Sequence, residues 1–306
     1  MITAFDMKNC RLCARQCGVN RYETTGYCRC GIQPQVASVC VHKGEEPVLS
    51  GNKGVCNVFF AHCNLQCVFC QNVDISRNNV MARYEYDTLE KVVERIKEVL
   101  QISENVLGFV SPSHYAYLIP TILDMLHAQD IRPTVVYNTN AYDSVEVLRA
   151  LESYIDVYLP DFKYYSNDIA IRYSQATDYF DKAGKALKEM YRQKGSTLIT
   201  NHEGIAERGL IIRHLMLPGC AEDSMKVLEW IADNLSINVH ISLMSQYFPL
   251  PQKPLPDNLG RCLSEEEYNQ VVDYFYNQGF HRGWVQDLDE ARTYKPDFDR
   301  KEAFER

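Results

Sequence analysis

Three cysteines that directly follow a buried strand constrain this chain more than any other feature. The chain of 306 residues carries them in the spacing C-x3-C-x2-C, as Cys63, Cys67 and Cys70. The apolar run Val55 to Phe60 comes immediately before them and is typical of a buried strand. A loop of this kind can place three thiolates around one face of a metal cluster. The next residues, Gln71 and Asn72, offer no obvious fourth ligand.

Three thiolates without a fourth ligand predict an iron-sulfur cluster with one open iron. Such an iron can chelate the amino and carboxylate groups of S-adenosylmethionine, and the reduced cluster can pass an electron to the sulfonium. The bond from sulfur to the 5' carbon then breaks and a 5'-deoxyadenosyl radical forms. We therefore predict that the three cysteines are catalytic and hold a 4Fe-4S cluster. A zinc knuckle and buried free cysteines are the alternatives.

The pattern C-x3-C-x-aromatic-C, with Phe69 in the aromatic position, resembles the signature of the radical S-adenosylmethionine (radical SAM) superfamily. From Cys10 to about Tyr294 the chain also resembles the pyruvate formate-lyase activating enzyme family. The segments that carry this resemblance are Gly44–Pro47, Cys63–Asn72, Val136–Asn140, Tyr158–Lys163, Arg213–Gly219 and Met244–Tyr247. The resemblance implies a partial (β/α)6 barrel, open on one side, that acts on a large substrate.

Alternating periodicities predict the α/β fold class independently of the resemblance. About six units of a strand followed by a helix run from Val55 to Gln278, as expected for a parallel sheet covered by helices. In barrels of this kind the functional residues follow the carboxyl ends of the strands. We divide the chain into a cysteine-rich extension (1–50), the barrel (51–262) and a C-terminal helix and tail (263–306).

Polar residues follow the predicted strands and are candidates for cofactor binding. They occur as Ser111–His114, Asn138–Asn140, Asp161–Lys163, Arg213–His214 and Ser245–Tyr247. The resemblance implies that Ser111 offers backbone contacts to the cofactor and that Asn138 takes the place of a charged partner of the cofactor amine. It implies that Lys163 pairs with the cofactor carboxylate, and it adds Arg213 and Tyr247 to the site; Phe69 would pack beside the cluster. A salt bridge of Lys163 to an acid and a structural tie through Arg213 are the alternatives.

Four further cysteines near the amino terminus form a second candidate metal site. Their spacing is C-x2-C-x3-C-x10-C, as Cys10, Cys13, Cys17 and Cys28, with Cys30 two residues further on. Four thiols suit a tetrahedral all-thiolate centre. Zinc and a second iron-sulfur cluster both accept four thiolates, so the spacing does not separate them. The metal could be a structural staple or an electron relay.

Composition sets expectations for partners and compartment. The chain has 12 cysteines but no apparent signal peptide, so we expect reduced thiols in the cytoplasm. No apolar run is long enough to span a membrane, and a net charge of −8 opposes nucleic-acid binding. We expect a low-potential donor such as flavodoxin or ferredoxin, whose acidic surface Lys43, Lys53, Arg77 and Arg83 could contact, although scattered surface charge is the simpler interpretation of these residues.

Candidate substrate-facing residues lie in Ser166–Asp181 and in the proline-rich loop Phe248–Gly260. The length of this loop suits a protein or peptide, which is the predicted substrate; a small molecule stays open. The predicted function is radical SAM chemistry, with activation of a glycyl radical enzyme as the specific reaction. The alternative is a non-enzymatic iron-sulfur or zinc protein that carries electrons or scaffolds a complex. The polar strand ends argue against this alternative, because an electron carrier has no need of them.

Overall fold

The computed structural model describes residues 4–81, 84–250, 255–288, 296–298, 300 and 303–304. The strands are β1 (Val36–His42), β2 (Val55–Phe60), β3 (Val106–Val110), β4 (Thr134–Thr139), β5 (Val157–Pro160), β6 (Ile199–Thr200), β7 (Ala206–Leu215), β8 (His240–Met244) and β9 (Gly283–Val285). The α-helices are α1 (Pro47–Ser50), α2 (Val73–Ser76), α3 (Leu89–Leu100), α4 (Leu118–His127), α5 (Val145–Ala150), α6 (Asn167–Ser174), α7 (Tyr179–Lys194), α8 (Ala221–Asn234) and α9 (Glu265–Asn277).

The strands form one open, mostly parallel sheet in the order β1-β2-β3-β4-β5-β7-β8-β9. The six strands from β2 to β8 in this order pair in parallel, as does β9 with β8, whereas β1 pairs with β2 in the antiparallel direction. The short β6 pairs only with β7 among the described strands. The predicted α/β class and the partial barrel of six β/α units are confirmed.

Three helices, α3, α6 and α9, begin after a residue whose side chain caps their first turn. In α3, the Thr88 hydroxyl accepts a hydrogen bond from the amide of Lys91, and the apolar face that follows is buried against the sheet. Ser264 and Glu267 form a reciprocal capping box at the start of α9. A serine before an apolar helical pattern predicts a cap at Ser144, but this prediction is wrong, because the Ser144 hydroxyl donates to the Glu146 carboxylate instead of accepting a backbone amide of α5.

The barrel interior has an apolar floor and a polar layer above it. Alternate side chains of a strand point to opposite faces, so every second residue of each strand enters the barrel. The floor consists of Leu49, Val55, Val106, Val136, Val157, Leu159, Ile205, Ala206 and Ile211. One step further toward the carboxyl ends of the strands lie Asn57 of β2, Asn138 of β4 and Arg213 of β7, which belong to one hydrogen-bond network. The change from apolar to polar residues marks the lower end of the site.

The predicted elements differ from the observed ones mainly at their ends. Apolar runs predict strands over Ile155–Leu159 and Leu210–Leu215, whereas β5 begins at Val157 and β7 begins at Ala206. Sequence patterns did not predict β1, β6 and β9. The division into three segments stays a prediction, although β1 and β9 fall in its outer two segments and pair with the barrel. In the described residues, no helix is both long and apolar enough for a membrane span.

The polar layer depends on a missing side chain at Gly108, which lies opposite Asn57 in the sheet. A Cβ atom at Gly108 would stand 2.0 Å from the Asn57 side-chain oxygen. Asn57 is not free to move, because its amide donates to Glu45 at 2.9 Å. We expect Gly108→Ala to lower the free energy of unfolding by about 2 kcal/mol, measured by urea denaturation. Gly260→Ala is the control, since nothing lies within 4 Å of that Cβ position among the described residues; an equal loss in both variants would contradict the argument.

Candidate active site

The loop that carries Cys63, Cys67 and Cys70, called the cysteine loop below, lies at the carboxyl end of β2 and is fixed by side-chain amides. The Gln66 side chain donates to the carbonyl of Ser76 and accepts the amide of Asn78. The Asn78 side chain in turn accepts the amide of Cys63 and donates to its carbonyl. Two amide side chains therefore hold the loop against the residues that follow it in the chain.

Helix α6 reaches the cysteine loop from another side, through backbone and side-chain bonds alike. The amides of Val68 and Gln66 donate to the carbonyls of Tyr173 and Ser174, at 2.8 Å and 3.3 Å. The Ser174 hydroxyl donates to the sulfur of Cys67 at 3.0 Å. The end of α6 therefore sets the position of the middle cysteine.

Each of the three sulfurs accepts a hydrogen bond, which suits thiolate ligands. Ser174 donates to Cys67, Ser76 donates to Cys70 at 3.3 Å, and the amide of Leu65 donates to Cys63 at 3.4 Å. Burial raises the pKa of the Cys63 thiol to about 12 and also raises the pKa of Cys67. Deprotonation of these thiols therefore needs the positive charge of a metal. The donor set fits a cluster held by three thiolates.

The thiols lie at one end of a cavity of about 610 Å³ inside the barrel. All nine residues that we predicted for the cluster and the cofactor line it: Cys63, Cys67, Phe69, Cys70, Ser111, Asn138, Lys163, Arg213 and Tyr247. The structure thus brings together residues from six different strand ends. Their individual roles toward a cofactor stay predictions.

Arg213 is the centre of the polar layer. Its guanidinium donates to Asp161 at 2.7 Å, to Glu45 at 3.0 Å and to the side-chain oxygen of Asn138 at 2.7 Å. Burial alone would raise the pKa of Glu45, but a hydrogen bond from His42 and the charges of His42 and Arg213 outweigh it and hold the pKa at about 2. Arg213 thus makes the contacts of the structural tie that we gave as an alternative, and its contact with a cofactor stays a prediction.

Lys163 forms the salt bridge that was the alternative to its cofactor role. Its ammonium group lies 2.7 Å from the Asp161 carboxylate, and its side chain is 15% exposed. The same ammonium lies close enough to Cys67 for the two groups to influence each other's charge. Arg213 binds the other oxygen of Asp161, so the salt bridge occupies only one of the three N–H donors of Lys163. Another N–H group of Lys163 can therefore point toward the cavity. The salt bridge and the predicted cofactor contact are compatible.

Two rings and a strained turn complete the lining. The rings of Phe69 and Tyr247 meet edge to face, with 6.1 Å between their centroids, and both residues are buried. The Tyr247 hydroxyl donates to the carbonyl of Leu259, so its ring is fixed. Ser111 has a φ of 48°, a left-handed conformation, and its amide donates to the carbonyl of Asn138. This turn presents backbone to the cavity, as a non-glycine residue at positive φ often does at functional sites.

Sequence reasoning missed the two acids that enter the barrel from the loop after β1. Glu45 binds Arg213, whereas Glu46 lines the same cavity with one carboxylate oxygen that has no hydrogen-bond partner among the described residues. Burial raises the pKa of Glu46. The segment Gly44–Pro47 was among the quoted resemblances, and that signal could have located both residues. Two histidines at strand ends, His114 and His214, instead lie outside the cavity lining and bind neighbouring backbone and Ser224.

The four amino-terminal cysteines also come together. Cys10, Cys13, Cys17 and Cys28 line a second, much smaller cavity, next to Asn64 of the cysteine loop. Cys30 is completely buried but does not line it. Throughout the described residues, no group of three or more His, Cys, Asp or Glu side chains is already arranged to hold a metal ion. The same holds for Cys63, Cys67 and Cys70, so the arrangement of the side chains does not indicate which of the two sets of cysteines binds a metal.

The residues that form most of the barrel match the model of a known protein family. The model of the radical SAM superfamily matches residues 57–219, which is more than half of the chain. The chain belongs to the radical SAM superfamily. Membership implies a 4Fe-4S cluster and S-adenosylmethionine, and the cysteine loop lies within the matched residues. Membership also supports the prediction that the chain is an enzyme that uses radical chemistry.

The chain is also similar to one curated protein and to solved structures, of which two are given. An uncharacterized protein of Methanocaldococcus jannaschii is 33% identical over 278 residues, which cover 87% of this chain and 74% of the relative. SuiB of Streptococcus suis has a TM-score of 0.49 at 13% identity, over 76% of this chain and 49% of SuiB. A domain of pyruvate-formate lyase-activating enzyme from Bacteroides vulgatus has a TM-score of 0.37 at 15% identity, over 56% of this chain and 93% of that domain. The chain thus spans about half the length of SuiB.

The low pKa of Glu45 makes the contribution of this residue dependent on pH. Its carboxylate stabilises the folded chain above the pKa of about 4.3 of an unfolded glutamate, and this stabilisation is lost as the pH falls toward about 2. We expect Glu45→Gln to lower the free energy of unfolding by about 3 kcal/mol near neutral pH.

The difference between the two proteins should shrink as the pH falls from about 5 to about 3, measured by urea denaturation at each pH. Asp124→Asn, at an exposed helix position, is the control and should leave the pH dependence unchanged. A difference for Glu45→Gln that stays constant with pH would contradict the ion pair with Arg213.

Proposed function

We propose that the chain is a radical SAM enzyme that cleaves S-adenosylmethionine reductively and abstracts a hydrogen atom from a protein or peptide substrate. The observation that carries the proposal is the arrangement of three thiols, each with a hydrogen-bond donor, at the end of a cavity lined by polar strand ends. An electron carrier has no need of such a cavity. The non-enzymatic alternative is therefore the weaker proposal.

When bound, the cluster and S-adenosylmethionine supply the electron and the 5'-deoxyadenosyl radical for hydrogen abstraction. The residues of the chain would hold and orient the cluster and the cofactor. Cys63, Cys67 and Cys70 would hold the cluster, and Phe69 with Tyr247 would form an apolar wall beside it. The apolar floor below the cavity would exclude water from the site, and the polar residues above it would orient the ligands.

The charged residues of the cavity provide contacts for the polar ends of the cofactor. Lys163 is a cation close to the thiols that a carboxylate group could contact, and it lies beside Asp161. Ser111 and Asn138 would face the amine side. The second carboxylate oxygen of Glu46 offers a further acceptor, suited to a hydroxyl or an ammonium group of either cofactor or substrate.

Activation of a glycyl radical enzyme is the specific reaction that we propose, on the resemblance of the sequence to the pyruvate formate-lyase activating enzyme family. A flavodoxin or ferredoxin would supply the electron. Of the four basic residues considered for this contact, Lys43 lines the cavity and Arg83 lies outside the described residues. The proposed substrate-facing segment Ser166–Asp181 forms α6 and the start of α7, and Phe248–Gly260 includes residues 251–254, which lie outside the described residues.

Cys67→Ala tests the radical chemistry. The variant should lose the brown colour of the cluster and form at least about 100-fold less 5'-deoxyadenosine, because the remaining two thiolates do not hold a four-iron cluster. The measurement is chromatography of 5'-deoxyadenosine after anaerobic reconstitution with iron and sulfide and addition of dithionite and S-adenosylmethionine. Cys262→Ala, an exposed thiol, is the control. Undiminished 5'-deoxyadenosine in Cys67→Ala, or none in a fully loaded and reduced parent protein, would refute the proposal.

Pyruvate formate-lyase as a probe tests the specific reaction. The reconstituted and reduced enzyme, mixed with S-adenosylmethionine and pyruvate formate-lyase, should produce a glycyl radical that electron paramagnetic resonance detects. The Cys67→Ala variant should produce none, because hydrogen abstraction needs the cluster. Formation of 5'-deoxyadenosine without a glycyl radical would count against this partner while leaving the radical chemistry in place.

A further inference from the structure

The amino-terminal segment, residues 4–35, contains four cysteines that line one cavity, and it has no regular helix or strand among its described residues. Cys10, Cys13 and Cys28 are buried and Cys17 is exposed. The Met7, Leu12 and Ala14 side chains of this segment belong to the main hydrophobic core, and a bound metal would fix the thiols between them. The four thiols share the cavity although they lie up to 18 residues apart in sequence.

A buried cation beside these thiols is the observation that points to bound charge. Arg21 is 2% exposed, and its guanidinium donates to the carbonyls of Gly31 and His114. Among the described residues it forms no salt bridge with a carboxylate. Arg21 lines the same cavity as the four cysteines. A buried charge is costly unless an opposite charge accompanies it, so the cation favours thiolates over neutral thiols.

The backbone around the thiols also suits thiolates. The amide of Tyr27 donates to the sulfur of Cys17 at 3.4 Å. In the cysteine loop, the amide of Leu65 makes the same kind of contact with the sulfur of Cys63. Each set of cysteines therefore includes a sulfur that accepts a hydrogen bond from a backbone amide, which stabilises negative charge on sulfur.

We propose that Cys10, Cys13, Cys17 and Cys28 bind one metal ion of the zinc class in a tetrahedral all-thiolate site. The cavity among them is about the size of one water molecule, which suits a single ion and is too small for a four-iron cube. On binding, the four thiols release their protons to solvent and the sulfurs draw closer together. The resulting charge of −2 on the site is offset in part by Arg21.

The position of this site would give the ion a structural role, because the amino-terminal segment contacts the cysteine loop. Arg15, two residues after Cys13, donates to the carbonyls of Asn64 and Gln175, which belong to the cysteine loop and to the end of α6. The amide of Ala14 donates to the carbonyl of Tyr142. By fixing the amino-terminal segment, the ion would hold the loop that follows β2 from the solvent side.

Metal analysis of the full chain tests the proposal independently of activity. In the variant with Cys63, Cys67 and Cys70 all changed to alanine, plasma mass spectrometry should find about one zinc per chain and almost no iron. Adding Cys13→Ala and Cys28→Ala should remove at least about nine-tenths of that zinc, because two remaining thiolates bind the ion weakly. Adding Cys30→Ala or Cys262→Ala instead should leave the zinc in place, since neither thiol lines the cavity.

Cobalt substitution provides a second measurement that reports the ligands directly. The variant with Cys63, Cys67 and Cys70 changed to alanine and with its natural amino-terminal cysteines, loaded with Co²⁺, should show the intense visible absorption of a tetrahedral tetrathiolate site. Zinc that persists without Cys13 and Cys28, or an absorption spectrum without sulfur ligation, would overturn the proposal. Iron and sulfide at about eight of each per reconstituted chain would also overturn it, because they would indicate a second cluster.

Discussion

The pairing of the buried Arg213 guanidinium is the interaction on which the interior of the barrel depends. A buried cation is tolerated only where acceptors surround it, and here Asp161, Glu45 and Asn138 provide them. These partners come from two different strand ends and from the loop after β1. Removal of any one of them would leave a charge or an amide unpaired inside the barrel. The positions of the residues around the cavity therefore follow from this one group.

Lys163 illustrates this dependence. Its salt bridge to Asp161 is possible because Arg213 binds the other oxygen of the same carboxylate. The ammonium group is thereby placed between the polar layer and the thiols of the cysteine loop. A lysine held in this way loses little side-chain entropy when a ligand binds, which favours binding. The ion pairs and the proposed chemistry use the same residues.

The general architecture and the location of the site could be predicted from the sequence, because both depend on local patterns. Alternating periodicities identify strands and helices, and the carboxyl ends of parallel strands meet at one edge, so Asn138, Lys163 and Arg213 could be placed there. The partners of these residues could not be predicted, since the position of a lysine in the sequence does not reveal which acid will face it. Glu45 enters the barrel from a loop, and no periodicity marks such an entry. His114 follows a strand end as predicted but turns toward the amino-terminal segment.

Because β1 is antiparallel to β2, it runs from the carboxyl end of the barrel strands to their amino end. Its first residue, Val36, pairs with Phe60 near the cysteine loop, and its last, His42, pairs with Val55 near the floor. The strand therefore connects the amino-terminal segment directly to the loop that contains Glu45. Seven strand residues and a short loop therefore link the segment that contacts the cysteine loop through Arg15 to the acid that binds Arg213. The two ends of the barrel interior are thus joined by a single continuous stretch of backbone.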